Sequence, residues 1–256
     1  MEKEEKLKEE ENSKDEGMGF LGHLEELRKR IVWALIGLVL GCVVAGIFID
    51  RILELVILAP SVNVNLKLQN LSPFGQPLMY FKLIFIIGII ISFPFMLYQL
   101  WKFIAPGLYM NERKWVSKIT FFTSLCFLTG VAFAYFLMIP TMLGFAAQFG
   151  TKKIENIIDV NSYLSFITIM LLSAGLLFEL PMVTFILAKF GIVSAQFMRK
   201  YRRHSIVIIM ILAAALTPTT DPISMMIFAA PLFILYELSI LIAKMAGKKK
   251  ESVSNG

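Results

Sequence analysis

The chain has 256 residues, a formal net charge of +6, 57% hydrophobic and only 17% charged residues, and a mean hydropathy of +0.72. Typical soluble domains carry roughly 25% charged residues, so this composition excludes an ordinary soluble globular protein. The charges fall in blocks between long uncharged runs, which predicts a polytopic membrane protein of the all-α class.

The N-terminal segment, residues 1–18, is dominated by Lys, Glu and Asp. Such a segment buries too little apolar area to offset its ordering entropy, so we predict a disordered cytoplasmic tail. A cleavable signal peptide has a basic start and a short apolar stretch, whereas this acidic tail precedes a longer apolar run. The first apolar run is therefore expected to remain in the protein as a membrane helix.

The uncharged runs predict six spans, since about 20 helical residues cross a hydrocarbon core of about 30 Å. The last run, Ser205 to Ala243, would be about 58 Å long as one helix and must fold back. Pro218 and Pro222 favour a turn there, which leaves the fifth helix unusually short and predicts a thinned bilayer around it. We predict a disordered cytoplasmic tail at residues 1–18, a transmembrane domain at 19–245 and a basic cytoplasmic C-terminal tail at 246–256. The six predicted spans are about 31–49, 77–100, 116–140, 163–188, 205–217 and 222–243.

The basic residues predict the orientation of these spans. Cytoplasmic loops of membrane proteins are enriched in Lys and Arg. Most of the 25 Lys and Arg residues lie in segments that six spans place on one side, residues 1–30, 99–118, 189–204 and 244–250. The sequence therefore predicts that both termini are cytoplasmic.

The segment before the first span, Phe20 to Arg30, has an apolar stripe flanked by charged pairs spaced four residues apart. It is typical of an interfacial helix that leads into the membrane. Its charges either solvate the helix and enforce topology, or present Glu26 to a cationic partner. The run of Glu25, Glu26 and Arg30 also matches the E-E-x-x-x-R pattern of intramembrane prenyl-protein proteases, but their further polar motifs are missing, as is H-E-x-x-H. We therefore predict no catalytic residues and no metal site.

Two further groups of residues stand out. The segment Tyr98 to Trp115 is rich in aromatics and carries a Pro-Gly corner, which suits either a membrane interface or a recognition surface. Glu179 lies inside the fourth span, where a carboxylate costs several kcal/mol unless it is protonated, hydrated or paired. Pro181 predicts a kink beside it. Cys42 and Cys126 lie far apart in apolar runs and are interpreted as small packing residues.

Several strings, in this order, resemble the TatC family, the multi-spanning receptor subunit of the twin-arginine protein translocase. They include His23-Leu-Glu-Glu-Leu-Arg-Lys-Arg30, Leu58-Ala-Pro60, Tyr98-Gln-Leu-Trp-Lys-Phe-Ile-Ala-Pro-Gly-Leu-Tyr109, Phe178-Glu-Leu-Pro181 and Leu216-Thr-Pro218. The resemblance covers about residues 20–245. It implies a concave six-helix bundle with short fifth and sixth helices in the bacterial cytoplasmic membrane. Such a receptor uses the proton-motive force, without a nucleotide or another cofactor, to export folded proteins.

The resemblance also implies site residues and partners. Twin-arginine signal peptides would be bound on the cytoplasmic side by Glu26 and Glu112, with Arg28 and Phe103 as neighbours. Glu179 would either perturb the bilayer or contact a polar group of a partner helix. Bidentate carboxylate–guanidinium pairing would distinguish Arg-Arg from Lys-Lys. The partners implied are single-span TatA/TatB-type proteins and the lipid bilayer, without nucleic acid, and self-association stays open. Structural turns are expected at Pro60, Pro106, Pro218 and Asp221.

A second hypothesis is a proton- or ion-coupled solute carrier that uses Glu179, Asp221 and Glu237 as relays. Against it stand the isolation of these carboxylates on separate helices and the lack of an inverted repeat. Transport of a solute by this chain alone would favour the carrier, whereas dependence on single-span partners would favour the receptor.

Overall fold

The structure is a computed structural model that describes residues 20–62, 67–104, 116–148, 157–217 and 222–254. The described chain is mostly helical. Its α-helices are α1 (Phe20–Ile47), α2 (Ile49–Leu53), α3 (Ala59–Val62), α4 (Gly75–Ile104), α5 (Val116–Phe133), α6 (Ile139–Gln148), α7 (Val160–Leu177), α8 (Leu180–Phe190), α9 (Ala195–Lys200), α10 (Arg202–Leu216) and α11 (Pro222–Ser254). Two π-helical turns and two short strands complete it: Glu54–Leu58, Ala134–Met138, β1 (Lys67–Gln69) and β2 (Ile157–Asp159).

Five helical segments in the described part of the chain are long and apolar enough to cross a membrane. They are Gly22–Ile47, Gly75–Ile104, Ser117–Ala147, Val160–Phe190 and Pro222–Met245. The predicted fifth helix is present as α10, but its 15 residues amount to about 22 Å, short of a hydrocarbon core of about 30 Å. The chain is thus a multi-pass helical membrane protein in which one of the predicted helices is short.

The first two long helices, α1 and α4, approach closely because glycines face each other. A Cβ on Gly41 would lie 2.6 Å from the backbone oxygen of Gly88, and a Cβ on Gly88 would lie 2.5 Å from Cys42 Sγ. Small residues allow the backbones of membrane helices to approach in this way. Cys42 is a free thiol at this contact, as its interpretation as a packing residue predicts.

The chain after α1 continues as a series of short helical segments, Ile49–Leu53, Glu54–Leu58 and Ala59–Val62. A π-helical turn, Glu54–Leu58, precedes Pro60, whose ring excludes the hydrogen bond that the carbonyl four residues earlier would accept. The hydroxyl of Tyr163 donates to the Ile57 carbonyl at 3.2 Å, and that of Tyr135 donates to the Leu55 carbonyl. We predicted a turn at Pro60, but Pro60 is buried within α3. The correction follows from the π-helical turn, which lets the helix continue through the proline.

The two short strands join the connection before α4 to the connection before α7. Strand β1 pairs in parallel with β2, with Leu68 opposite Ile158. Next to this ladder, the carboxylate of Asp159 accepts hydrogen bonds from the backbone N–H of Leu71 at 3.3 Å and of Ser162 at 3.2 Å. The sequence did not predict these strands. Asp159 therefore caps α7 and ties it to the connection that leads into α4.

The last two helices form an antiparallel hairpin. Near the start of α10, Arg202 Nη2 lies 2.6 Å from Glu237 Oε2, in the middle of α11. The Tyr236 hydroxyl donates to the Met198 carbonyl at 2.8 Å, which fixes α9 against the same stretch of α11. The predicted turn residues Pro218 and Asp221 lie outside the described residues. The helix α11 extends to Ser254 and so includes most of the predicted basic tail. The prediction of a short sixth helix is wrong, because the 24 residues of Pro222–Met245 are long and apolar enough to cross a membrane.

The main core lies where α4, α7 and α11 meet the π-helical turns. Its fully buried side chains include Leu83, Leu164, Ile167, Met170 and Phe228. Because the surrounding lipid is as apolar as the core, packing and satisfied backbone groups contribute most of the association between these helices.

Candidate functional site

A charged cluster occupies the cleft between the start of α1 and the end of α4. Arg30 Nη2 lies 3.1 Å from Glu26 Oε1, and Arg30 Nη1 lies 3.4 Å from the side-chain oxygen of Gln99 on α4. The side chains of Glu26 and Arg30 are 17% and 24% exposed, and Gln99 is buried. The predicted i,i+4 pair of Glu26 and Arg30 is confirmed. The pair lies between α1 and α4, where Arg30 also contacts Gln99.

The orientation of α1 places this cluster inward. Leu24 and Ile31, from the predicted apolar stripe, are 43% and 49% exposed, whereas Glu26 and Arg30 face α4. In a bilayer, apolar side chains can face lipid, and polar groups gain partners by turning toward a neighbouring helix. The amphipathic segment therefore presents its polar side to the bundle.

Aromatic rings border the cluster. Phe103, near the end of α4, stacks on His23 of α1 with a centroid distance of 4.4 Å. The Nζ atom of the preceding residue, Lys102, lies 4.5 Å above the ring of Tyr98, about one turn earlier on α4. The structure thus brings the predicted recognition residue Phe103 to the helix that carries Glu26. Arg28 is exposed and lies on another face of α1, away from this cluster.

Two predicted residues of this region, Pro106 and Glu112, lie outside the described residues. The segment that carries them starts directly after α4, whose last residue, Ile104, adjoins Phe103. It ends at Val116, the first residue of α5.

Glu179 lies at a break in the fourth long helical segment. The helix α7 ends at Leu177 and α8 begins at Leu180, with Pro181 in the first turn of α8. Because Pro181 has no N–H, the regular helical hydrogen bonds are interrupted before it. This interruption agrees with the kink predicted at Pro181. The interruption places the Glu179 side chain inward.

The surroundings of Glu179 are apolar. The residue is 8% exposed, and its Oε1 atom has no hydrogen-bond partner among the described residues. The adjacent Phe178 packs on Phe133 and on Gly130, where a Cβ would lie 2.8 Å from that of Phe178. Glu179 thus offers a buried carboxylate oxygen that can accept a hydrogen bond.

Gln99 was not predicted from the sequence, since its partner Arg30 lies 69 positions earlier in the chain. Nor was His23 predicted as the partner of Phe103. A usable signal was the four-residue spacing of Gln99 and Phe103, which puts both on one face of α4. Among the described residues, no group of three or more His, Cys, Asp and Glu side chains converges.

The fold and the site define a multi-pass helical membrane protein with a carboxylate–guanidinium cluster at the ends of two adjacent helices. Residues 22–231 match the family model described as TatC, Sec-independent protein translocase protein. A relative from Carboxydothermus hydrogenoformans with that name is 39% identical over 238 residues, which cover 93% of this chain and 98% of the relative. One from Koribacter versatilis is 40% identical over 232 residues, with coverages of 89% and 85%.

A solved structure agrees with these relatives. The crystal structure of a twin-arginine translocase receptor TatC is similar to this fold with a TM-score of 0.78 at 32% identity, over 88% of this chain and 99% of that one. The chain belongs to the TatC family, so the resemblance seen in its sequence is confirmed. Its function is that of the receptor subunit of the Sec-independent protein translocase.

Proposed function

We propose that this receptor binds the twin-arginine signal peptides of folded proteins through Glu26 and Glu112, with Phe103 beside them. The observation that carries the proposal is the position of Glu26, largely buried but 17% exposed, next to the end of α4. The segment with Glu112 follows directly after Ile104 in the sequence, the last residue of the helix that also carries Gln99, which contacts Arg30. A carboxylate in so polar a cluster, at a rim accessible to the cytoplasm, suits a guanidinium ligand.

The first prediction concerns these glutamates. Replacing Glu26 or Glu112 by Gln removes the negative charge with almost no change in shape, so binding of an Arg-Arg peptide should fall about 10-fold or more for each. Photocrosslinking of Arg-Arg and Lys-Lys signal peptides to membranes that carry each variant measures this effect.

The matched control is Glu25→Gln, because Glu25 is the neighbouring residue on α1 and is exposed. It should bind the Arg-Arg peptide as the unmodified protein does. Unchanged binding by the Glu26→Gln, Glu112→Gln double variant would contradict the proposed site. Accumulation of a solute by this chain alone in liposomes would favour the carrier instead.

We also propose that both termini and the Glu26 cluster lie on the cytoplasmic side of the bacterial inner membrane. In support, the basic residues concentrate in segments of one side. The antiparallel hairpin of α10 and α11 supports six spans, with α10 as the short fifth one. Export then proceeds with single-span TatA/TatB-type partners and the proton-motive force.

Glu179 is proposed to contact a polar group on such a partner helix. Its buried Oε1 supports this proposal, since that atom has no hydrogen-bond partner among the described residues and would gain from any donor that reaches it. The second prediction is that Glu179→Leu lowers copurification of the partner several-fold, while Glu179→Gln, which keeps an acceptor, retains more of it.

The control for Glu179 is binding of the Arg-Arg peptide, which should stay unchanged in both variants because the Glu26 cluster lies on other helices. Equal copurification of the partner with the Leu variant and the unmodified protein would rule out this role.

A further inference from the structure

The guanidinium of Arg30 already pairs with the carboxylate of Glu26, which the proposed function assigns to a signal-peptide arginine. Its Nη2 contacts Glu26 Oε1 at 3.1 Å. A ligand arginine that pairs with Glu26 therefore competes with an arginine of the receptor itself. The inference that follows rests on the proposed function and concerns how the same site is regulated.

Among the described residues, Arg30 has few and long hydrogen bonds for a guanidinium in so enclosed a position. Its Nε atom is buried and has no hydrogen-bond partner among the described residues. Its contact with Gln99 is 3.4 Å long, near the limit for a hydrogen bond. The contact with Glu26 joins one nitrogen to one oxygen, whereas the strongest carboxylate–guanidinium pairs are bidentate. Within the described residues, the internal pair thus leaves part of the hydrogen-bonding capacity of both groups unused.

We propose that Arg30 is an internal competitor, which neutralises Glu26 in the free receptor and yields it to a signal-peptide arginine. The exchange replaces one guanidinium by another, so the buried carboxylate never stands without a counter-ion. The net binding free energy is then the free energy of the ligand's pair with Glu26 minus that of the Arg30–Glu26 pair. A weakly cationic segment cannot displace Arg30, whereas an arginine that pairs in a bidentate way can.

Gln99 receives Arg30 after the exchange. It lies on α4, already within reach of Arg30 Nη1, and it is buried, so its side-chain oxygen stays oriented toward α1. A displaced guanidinium without an acceptor would cost free energy in this enclosed cleft. Gln99 is therefore a positioning residue that lowers the cost of the exchange.

The test measures equilibrium binding of fluorescent Arg-Arg and Lys-Lys signal peptides to the purified full chain in lipid nanodiscs. Arg30→Gln should tighten binding of both peptides by about 3- to 10-fold, with the ratio between them nearly unchanged, since the competitor acts on both equally. Arg30→Lys should tighten binding less. Gln99→Leu should weaken Arg-Arg binding, and the effect should vanish when Arg30 is Gln.

The control is Arg202→Gln, which makes the same charge change in an exposed pair with Glu237, and which should leave binding unchanged. Thermal unfolding of each variant checks that it is folded, and Arg30→Lys serves if Arg30→Gln does not fold. Weaker Arg-Arg binding by folded Arg30 variants would overturn the proposal and make Arg30 a residue that orients Glu26. Failure of the proposed function itself would look different, because Glu26→Gln would then leave binding unchanged.

Discussion

Asp159 is a partly exposed carboxylate that links two connections between helices. It accepts backbone hydrogen bonds from Leu71 and Ser162, and the bond from Leu71 is the main cause of a lowered pKa of Asp159. These bonds need the ionised carboxylate. The two connections are thus coupled through one group outside the predicted spans.

The third prediction follows from the sign of that shift. Because the folded-state pKa of Asp159 lies below its ordinary value, ionised Asp159 stabilises the fold above about pH 4. The contribution is lost as the pH falls through the lowered pKa. We expect Asp159→Asn to lower the thermal midpoint at pH 7 and to show less further loss than the unmodified protein below pH 4.

The measurement is thermal unfolding in detergent across this pH range. The control is Asp50→Asn, which changes an exposed carboxylate on α2. If Asp159→Asn reduced stability equally at pH 7 and at pH 3, the ionised carboxylate would not be the source of the effect.

At the scale of helices, the contact of α1 with α4 sets the geometry of the Glu26 cluster. The fourth prediction is that Gly41→Val destabilises the fold by about 1–3 kcal/mol, because its Cβ would lie 2.6 Å from the Gly88 backbone oxygen, which cannot move aside. Arg-Arg peptide binding should weaken as well, since Arg30 and Gln99 would separate.

The control for this prediction lies on the same helix. A Cβ on Gly46 would have its nearest neighbour, Ile84 Cδ1, at 3.9 Å, so Gly46→Ala should be tolerated. Thermal unfolding and peptide binding of the two variants provide the comparison. Equal stability of both would mean that the close approach at Gly41 is not required.

The long helices could be predicted from the sequence because their signal is local, namely about 20 apolar residues in a row. The strands β1 and β2 could not, since three-residue strands are defined only by pairing of Leu68 with Ile158, far apart in the chain. Pro60 was assigned to a turn because a local rule cannot foresee the π-helical turn before it. Glu26 and Phe103 could be predicted through family resemblance, whereas Gln99 depends on how two helices pack.

At the scale of the whole molecule, the unequal lengths of the helices have a consequence for the bilayer. The α10–α11 hairpin is pinned at one end by Arg202 and Glu237, and α10 ends at Leu216, about 22 Å away. The 30 residues of α4, in contrast, exceed the hydrocarbon thickness. Lipid beside α10 must therefore thin, or the outer end of α10 must lie below the headgroups.

The fifth prediction is that the outer end of α10 lies several ångströms deeper in the bilayer than the outer end of α4. Fluorophores attached at Ala215→Cys and Leu78→Cys, two exposed positions, would report this depth through quenching by lipids brominated at defined carbons. Cys42 and Cys126 are replaced by alanine to avoid unwanted labelling. We expect quenching at Ala215 by bromines nearer the bilayer centre, because a helix of about 22 Å that starts at one membrane surface ends before the opposite one. Equal depths would show that the bilayer thins locally, so that α10 reaches the headgroups on the far side. Bilayers of longer acyl chains should then destabilise the protein.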